Sequence, residues 1–297
     1  MTNPAGHPQP AAQSPDPRAI HRVGEQYKLA IPRSPIAGVL GEMMGASSGS
    51  SLEFQDYREY VPGDDPRHID WSAFARSDQL MVRLYREEVA PFADLLVDGS
   101  RSMAVGDGRK GKLVRELALA FELFARQAGA DPVLWLVGDE ARPLEGTAEA
   151  KLAHLALASR TSFERLADWR RTLALRRRSI RVVLSDFLFI HHPEELVKQL
   201  AAASSALWLI QVLARDEAQP TVGGGVRLVD AESGEFHDLI LNDQTTSGYL
   251  RRLGNLQTGL ARACRRAGAR FVSVVADQSL DAVCRASLLP AGVIAAA

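Results

Sequence analysis

LLVDGSRSM, residues 95–103, is the stretch on which the fold turns: an apolar run stops at Asp98, and two hydroxyls follow at alternate positions, Ser100 and Ser102. Alone it suits a metal site, a nucleophile or a strand end with a polar turn. Its surroundings narrow the choice. From residue 93 onward, short apolar runs alternate with segments of helical period, the pattern of helices packed on a mostly parallel sheet. FADLLV, VLWLV, IRVVL, ALWLIQVL and FVSVV read as the strands. Between them KLVRELALAFELFARQA sets Leu113, Leu117, Phe121 and Phe124 on one stripe, as in a helix covering a sheet. Further helices are expected over 163–174, 193–204 and 247–267. The fold class is α/β, a doubly wound, mostly parallel sheet, and in such sheets ligands bind beyond the carboxyl ends of the strands. Asp98 ends one run and Asp186 follows another, VVLS, so both stand where chemistry is expected.

Asp98, Ser100 and Ser102 form D-x-S-x-S, one carboxylate and two neutral hydroxyls. These are hard oxygen donors, suited to magnesium rather than to zinc or copper. One loop cannot complete such a site. Asp186 can reach an ion directly or through water, and Thr161 in SRTSF is a candidate hydroxyl from a loop between the two. The rival readings of the region are weaker. GDGRKGK, residues 106–112, imitates a phosphate loop, but Leu113 stands where Ser or Thr would hold magnesium, and the loop starts well after the strand. Lys110 and Lys112 are expected at the entrance of the next helix instead. A phosphotransferring aspartate pair would need an acid at Ser100, and a serine hydrolase would need G-x-S-x-G and a histidine. His191 and His192 adjoin the Asp186 strand end, but two histidines before Pro193 read more simply as a helix lead-in.

The segment before the sheet differs in texture. Residues 48–90 interleave Glu53, Asp56, Arg58, Glu59, Asp64, Asp65, Arg67, Asp70 and Arg76 with Phe54, Tyr57, Tyr60, Trp71 and Phe74. Asp65 before Pro66 is a helix N-cap with proline at the first helical position, and LMVRLYREE alternates as a half-buried strand. The acids and arginines suit a solvated ion-pair face, a buried polar network or a recognition surface, and composition does not choose among them.

Bulk numbers bound the rest. The 297 residues are 46 % hydrophobic, enough for a substantial core, and Lys+Arg 35 against Asp+Glu 36 gives no basic excess that would point to nucleic acid. RRTLALRRRSIR, residues 170–181, is a local basic run in a chain whose usual cation is arginine, 30 to 5 over lysine. Two cysteines, Cys264 and Cys284, are too few for a disulfide framework and suit a reducing compartment, so the cytoplasm is the expected location. The five prolines of MTNPAGHPQPAAQSPDP predict a disordered tail over residues 1–22. No stretch approaches the roughly 18 apolar residues of a spanning helix, so no membrane insertion is expected. The predicted division is therefore this tail, a charged segment over 23–92 and the sheet domain over 93–290.

The block LEFQDYREYVPGDDPRHIDWSAFARSDQLMVRLYREE followed by LLVDGSRSM resembles the family called domain of unknown function 58, whose members carry a von Willebrand factor A-like domain. Its hallmark, EF-x-x-x-REY-x-PGDD-x-R-x-IDW-x-x-x-AR, is matched from Glu53 to Arg76, and looser similarity extends to VVLSDF and to DAESGEF at residues 230–236. The resemblance implies a Rossmann-like, von Willebrand factor A-like sheet preceded by a small charged and aromatic β-containing segment. It also implies a metal-ion-dependent adhesion site that holds Mg2+ through Asp98, Ser100, Ser102, Thr161 and Asp186. Thr147 and Ser162 lie close enough in the chain to stand in for Thr161. Relatives usually have a glycine- and arginine-rich lead where this chain has GASSGSSLEF, and many carry a membrane span. Similarity further implies work beside a MoxR-type AAA+ ATPase, as an adaptor rather than an enzyme, with the ion gripping an acidic residue of a protein partner. Arg58, Asp64, Asp65, Arg67, Asp70, Trp71 and Arg76 are then the candidate partner-binding residues. The alternative is a metal-dependent hydrolase or nuclease using Asp98 and Asp186.

Overall fold

A computed structural model describes residues 13–31, 52–62, 64–87, 91–163, 173–221 and 223–297. The chain divides into two compact units, residues 1–33 with 91–297, and residues 34–90. The first elements are α1 (Pro17–Gln26) and β1 (Tyr27–Leu29). The smaller unit then supplies β2 (Leu52–Glu59), α2 (Trp71–Ser77) and β3 (Met81–Glu87). The larger unit resumes with β4 (Phe92–Asp98), α3 (Arg109–Gln127), β5 (Asp131–Val137), β6 (Ala141–Leu144), α4 (Ala148–His154) and β7 (Ile180–Ser185). After these come α5 (Pro193–Ala201), β8 (Ala206–Leu213), α6 (Arg215–Ala218), β9 (Gly224–Val229), β10 (Phe236–Leu241) and α7 (Asp243–Arg266). The chain closes with β11 (Arg270–Val275), α8 (Leu280–Val283) and β12 (Ile294–Ala296).

Six strands form one sheet in the order β11-β8-β7-β4-β5-β6, all parallel except β6. The five strands expected from apolar runs are all in it. β6, ARPL, is an addition: short, with Pro and Arg, it lacks the apolar run of a buried strand and survives as an antiparallel edge. Because helices cover both faces, the central strands are buried throughout, β7 at every position. One face packs Leu95, Val97, Val182 and Ile210 against α1 and the Leu113, Leu117, Phe121 and Phe124 stripe of α3. The other packs Leu96, Val183 and Leu209 against Leu196 and Leu200 of α5 and Leu260 of α7. The predicted helix over 163–174 lies, past Phe163 and before Leu173, outside the described residues.

The predicted boundaries need three corrections. Residues 17–22 are not tail but helix: Asp16 accepts a hydrogen bond from the Arg18 amide, Pro17 opens α1, and Ile20 and Val23 are buried in the core. Burial of that apolar face outweighs the proline-rich composition, while residues 1–12 lie outside the described residues. Residues 23–33 belong with the sheet unit rather than with the charged segment, since β1 pairs antiparallel with β12. That pairing also carries the domain past residue 290, to Ala296.

In the smaller unit β2 and β3 pair antiparallel, with an irregularity between Phe54 and Asp56. Asp65 caps a 3-10 turn at Pro66–His68, as Asp-Pro predicts. Asp70, almost fully buried, caps α2 through the amides of Ser72 and Ala73 and accepts a hydrogen bond from the Tyr57 hydroxyl at 2.9 Å.

Candidate metal centre

The strand order reverses between β4 and β7: the chain builds outward on one side through β5 and β6, and on the other through β8 and β11. Such a switch point leaves a crevice at the carboxyl ends of the two strands. Asp98 is the last residue of β4, and Asp186 follows the last residue of β7, with Val97 paired to Leu184.

Asp98 is fully buried. Its Oδ1 accepts from the Ser100 amide at 3.0 Å, and its Oδ2 from the hydroxyls of Ser162 and Ser185, both at 2.5 Å. Ser100 Oγ and Ser102 Oγ lie 3.0 Å apart. The loop is stitched on both sides: Gly99 N donates to Val137 O, Ser159 N to Gly99 O, and Arg101 N to Ser159 O. Gly138 makes this possible, because a Cβ there would stand 2.0 Å from Ser159 Oγ. Burial, and then the charge of Asp186, push the Asp98 carboxyl up to about 6 against the pull of its three serine partners. Among the described residues it has no ammonium or guanidinium partner.

Asp186 is buried as well but differently compensated. Burial disfavours its ionisation, yet the Lys110 ammonium 2.9 Å from Oδ2, the Leu188 amide on Oδ1 and the Ser102 hydroxyl together hold it below the usual carboxylate range. Lys110, wholly buried, also donates to both oxygens of Glu217 at 2.9 and 2.8 Å. Burial alone would drive the ammonium to lose its proton, but Asp186 and Glu217 outweigh it and keep Lys110 charged. Lys110 does enter α3 as predicted, but as the buried counterion of Asp186 rather than a solvated side chain. Neither its burial nor the reach of Glu217, 107 residues away, leaves a local signal in the sequence.

Of the predicted set, Asp98, Ser100, Ser102 and Asp186 converge, and Thr161 does not. Its hydroxyl donates to Asp139 at 3.1 Å, whereas the next residue, Ser162, reaches Asp98. An irregular loop has no periodicity to fix which of two adjacent hydroxyls turns inward. Thr147 is occupied capping α4. His191 Nδ1 meets the carbonyl of Phe189 at 2.9 Å, and its ring lies against Phe189. Three participants had no forecast role: Glu217, Ser185, and Glu232, whose Oε1 accepts from the Ser102 amide at 3.0 Å.

Counted as ionised, Asp98, Asp186 and Glu217 exceed Lys110 by two negative charges in a mostly dry crevice. One of the two stays with the Asp186–Lys110–Glu217 group, where burial raises Glu217; the other is Asp98, which must hold a proton or face a cation. Among the described residues no group of three or more His, Cys, Asp or Glu is placed to hold a metal. An ion at Asp98 would therefore rest largely on hydroxyl oxygens, and one carboxylate with hydroxyls fits a hard divalent cation. Both oxygens of Asp186 are already hydrogen-bonded, which suits contact through water.

The predicted partner-binding residues all lie in the smaller unit. Arg58 pairs with both oxygens of Asp64 at 2.9 Å, raising its own proton affinity and lowering that of Asp64. Arg67 pairs with Asp65, holding that carboxyl at about 2, and Asp70 is the buried cap of α2. Trp71 is 61 % exposed and Arg76 is exposed, so part of the block is a compact ion-pair scaffold and part is open surface.

Comparison with known proteins gives a family and few particulars. The family described as "Protein of unknown function DUF58" matches residues 56–255. Uncharacterized proteins of Mycobacterium bovis and Mycobacterium tuberculosis are 28 % identical over 262 residues, 83 % of this chain and 82 % of theirs. The crystal structure of conserved hypothetical protein BatB from Bacteroides thetaiotaomicron is similar at 12 % identity and a TM-score of 0.35, over 66 % of this chain and 95 % of that one. An aerotolerance-related membrane protein from Bacteroides fragilis is similar at 11 % and 0.31, over 60 % and 99 %. Among the described residues no helix is long and apolar enough to cross a membrane.

Proposed function

The chain belongs to the family described as protein of unknown function DUF58, and from that membership and the Asp98 cluster we propose that it is a cation-dependent protein-binding adaptor rather than an enzyme. In this reading the larger unit is a von Willebrand factor A-like domain, and its strand-end loop is a metal-ion-dependent adhesion site for Mg2+. The carrying observation is Asp98: fully buried, ringed by serine hydroxyls, and without a cationic partner among the described residues.

Each residue then has a stated task. Asp98 supplies the one direct carboxylate, and Ser100 and Ser102 the hydroxyls. Ser162 takes the place first given to Thr161, orienting Asp98 together with Ser185. Asp186, fixed by Lys110 and the Leu188 amide, acts through water. Bound there, a divalent cation supplies open coordination for a carboxylate, and few anionic donors leave it the positive charge to attract one. The partner is accordingly an acidic side chain of another protein. A MoxR-type AAA+ ATPase is the partner that the resemblance of the Glu53–Arg76 block implies, and Arg67, Trp71 and Arg76 are exposed residues of that block to meet it. Two free, buried cysteines agree with work in the cytoplasm.

The hydrolase or nuclease alternative needs a group beside Asp98 to activate water. Lys110 is held as an ammonium between two carboxylates, and among the described residues no hydrogen bond joins His191 to Asp98: its Nδ1 meets the Phe189 carbonyl and its Nε2 is buried without a partner. Calorimetric titration of magnesium into wild type and Asp98→Ala tests the proposal: binding by wild type alone supports it, and equal binding by both, or by neither, sinks it. A magnesium-dependent pull-down from native lysate tests the partner, with recovery of an AAA+ ATPase expected.

A further inference from the structure

Glu232 reaches the candidate centre from the β9–β10 hairpin, whose other end is tied to α7 by the Thr245 hydroxyl on the Ile240 carbonyl. Among the described residues strands β9 and β10 pair only with each other, and Leu228, Val229, Phe236 and Ile240 along them are more than half exposed. Their connecting turn is rigidly made. Asp230 Oδ1 accepts from the amides of Glu232 and Ser233 and from the Ser233 hydroxyl, and Gly234, at φ +76°, donates its amide to the Asp230 carbonyl. This turn holds Glu232 forward, with Oε1 3.0 Å from the Ser102 amide. Among the described residues that is the one hydrogen bond from residues 230–235 to the rest of the unit. A two-stranded hairpin with no sheet beneath it is marginal in water, so what its tip grips governs where it lies.

The amide it grips lies in the first turn of the 3-10 helix Arg101–Ala104, where a carboxylate is a favoured acceptor. Glu232 brings a further carboxylate to the loop that follows Asp98. It also lands on the residue whose hydroxyl is one of the candidate donors. Resting on the cation reading above, we propose that Glu232 is a built-in acidic ligand of the centre. The chain itself offers the carboxylate that a partner would offer, so that a partner's acid must displace the β9–β10 hairpin to engage. Hairpin closure and cation binding then strengthen each other by the same factor, as linkage requires.

The test uses the full chain and magnesium alone, with calorimetry for affinity and hydrogen exchange across residues 224–241 for closure. In wild type, magnesium slows exchange in the hairpin. In Glu232→Gln, magnesium affinity falls about fivefold or more, the low end of ordinary coupling between sites, and the magnesium-dependent protection disappears. Glu235→Gln, an exposed acid of the same turn, behaves as wild type. Unchanged affinity in Glu232→Gln, hairpin exchange indifferent to magnesium in wild type, or an equal loss in Glu235→Gln overturns the inference. The cation reading itself stands or falls separately, on Asp98→Ala, and a wild type that binds no magnesium overturns both.

Discussion

Asp98 has a thermodynamic signature that can be read without any partner. In the cation-free chain it titrates at about 6, against an ordinary 3.8, because burial and the Asp186 charge disfavour ionisation. Between those values the folded chain holds a proton that the unfolded chain releases. Stability in chelator therefore falls as pH rises from about 4 to 6 and levels off above, by on the order of 3 kcal/mol for this group. Asp186 does not blur the window, since a carboxyl held low loses its contribution only below the ordinary value. Glu217, raised by burial, adds slope of the same sign, so the Asp98 share is the difference between wild type and Asp98→Asn in urea midpoints from pH 4 to 7. Parallel curves for the two would refute it. The choice between adjacent hydroxyls can be measured the same way. Ser162→Ala removes a hydrogen bond to a buried charge and should cost about 1.5–3 kcal/mol. Thr161→Ala, losing a bond at the surface, should stay within about 0.5 kcal/mol. The reverse order would put Thr161, not Ser162, on Asp98.

Elements with a local cause were legible in the sequence, and those with a distant cause were not. The five apolar runs became strands because β-branched and leucine-rich segments buried on both faces can be little else in an α/β chain. The Leu113–Phe124 stripe likewise became α3. Asp98, Ser100, Ser102 and Asp186 were readable because strand ends fix their positions. Ser162 was legible only as a stand-in for Thr161, and the burial of Lys110 not at all, since loop register and the burial of a lysine follow from tertiary packing. Helix α1 had a visible signal in Asp16-Pro17, hidden by prolines further upstream. Between these extremes lies the Gly138 contact, where one missing Cβ lets the residue 155–163 loop close on the end of β5. Gly138→Ala should displace that loop, and with it Ser162, at a cost of about 1–3 kcal/mol. It should also weaken magnesium binding more than Thr161→Ala does. Chemical denaturation with calorimetry checks both, and a Gly138→Ala protein with wild-type stability would show that Ser159 yields freely.

The whole molecule separates the two jobs proposed for it. Among the described residues the six-stranded sheet, both apolar clusters and every candidate donor come from residues 1–33 and 91–297, and none from residues 34–90. The smaller unit holds itself together instead through the β2–β3 pairing, the Arg58–Asp64 pair and the Tyr57–Asp70 bond. Replacing residues 34–90 by a flexible Gly/Ser linker of about ten residues removes no described member of the two apolar clusters and adds little closure entropy, since that term grows slowly with loop length. The shortened chain should unfold cooperatively and bind magnesium as the full chain does, by calorimetry and thermal melts. It should also lose capture of the ATPase if the exposed Trp71 and Arg76 surface is where the partner docks. Capture that survives the excision would move docking to the strand-end face and its hairpin. A product that collapses without a cooperative melt would show that the sheet unit depends on the inserted one.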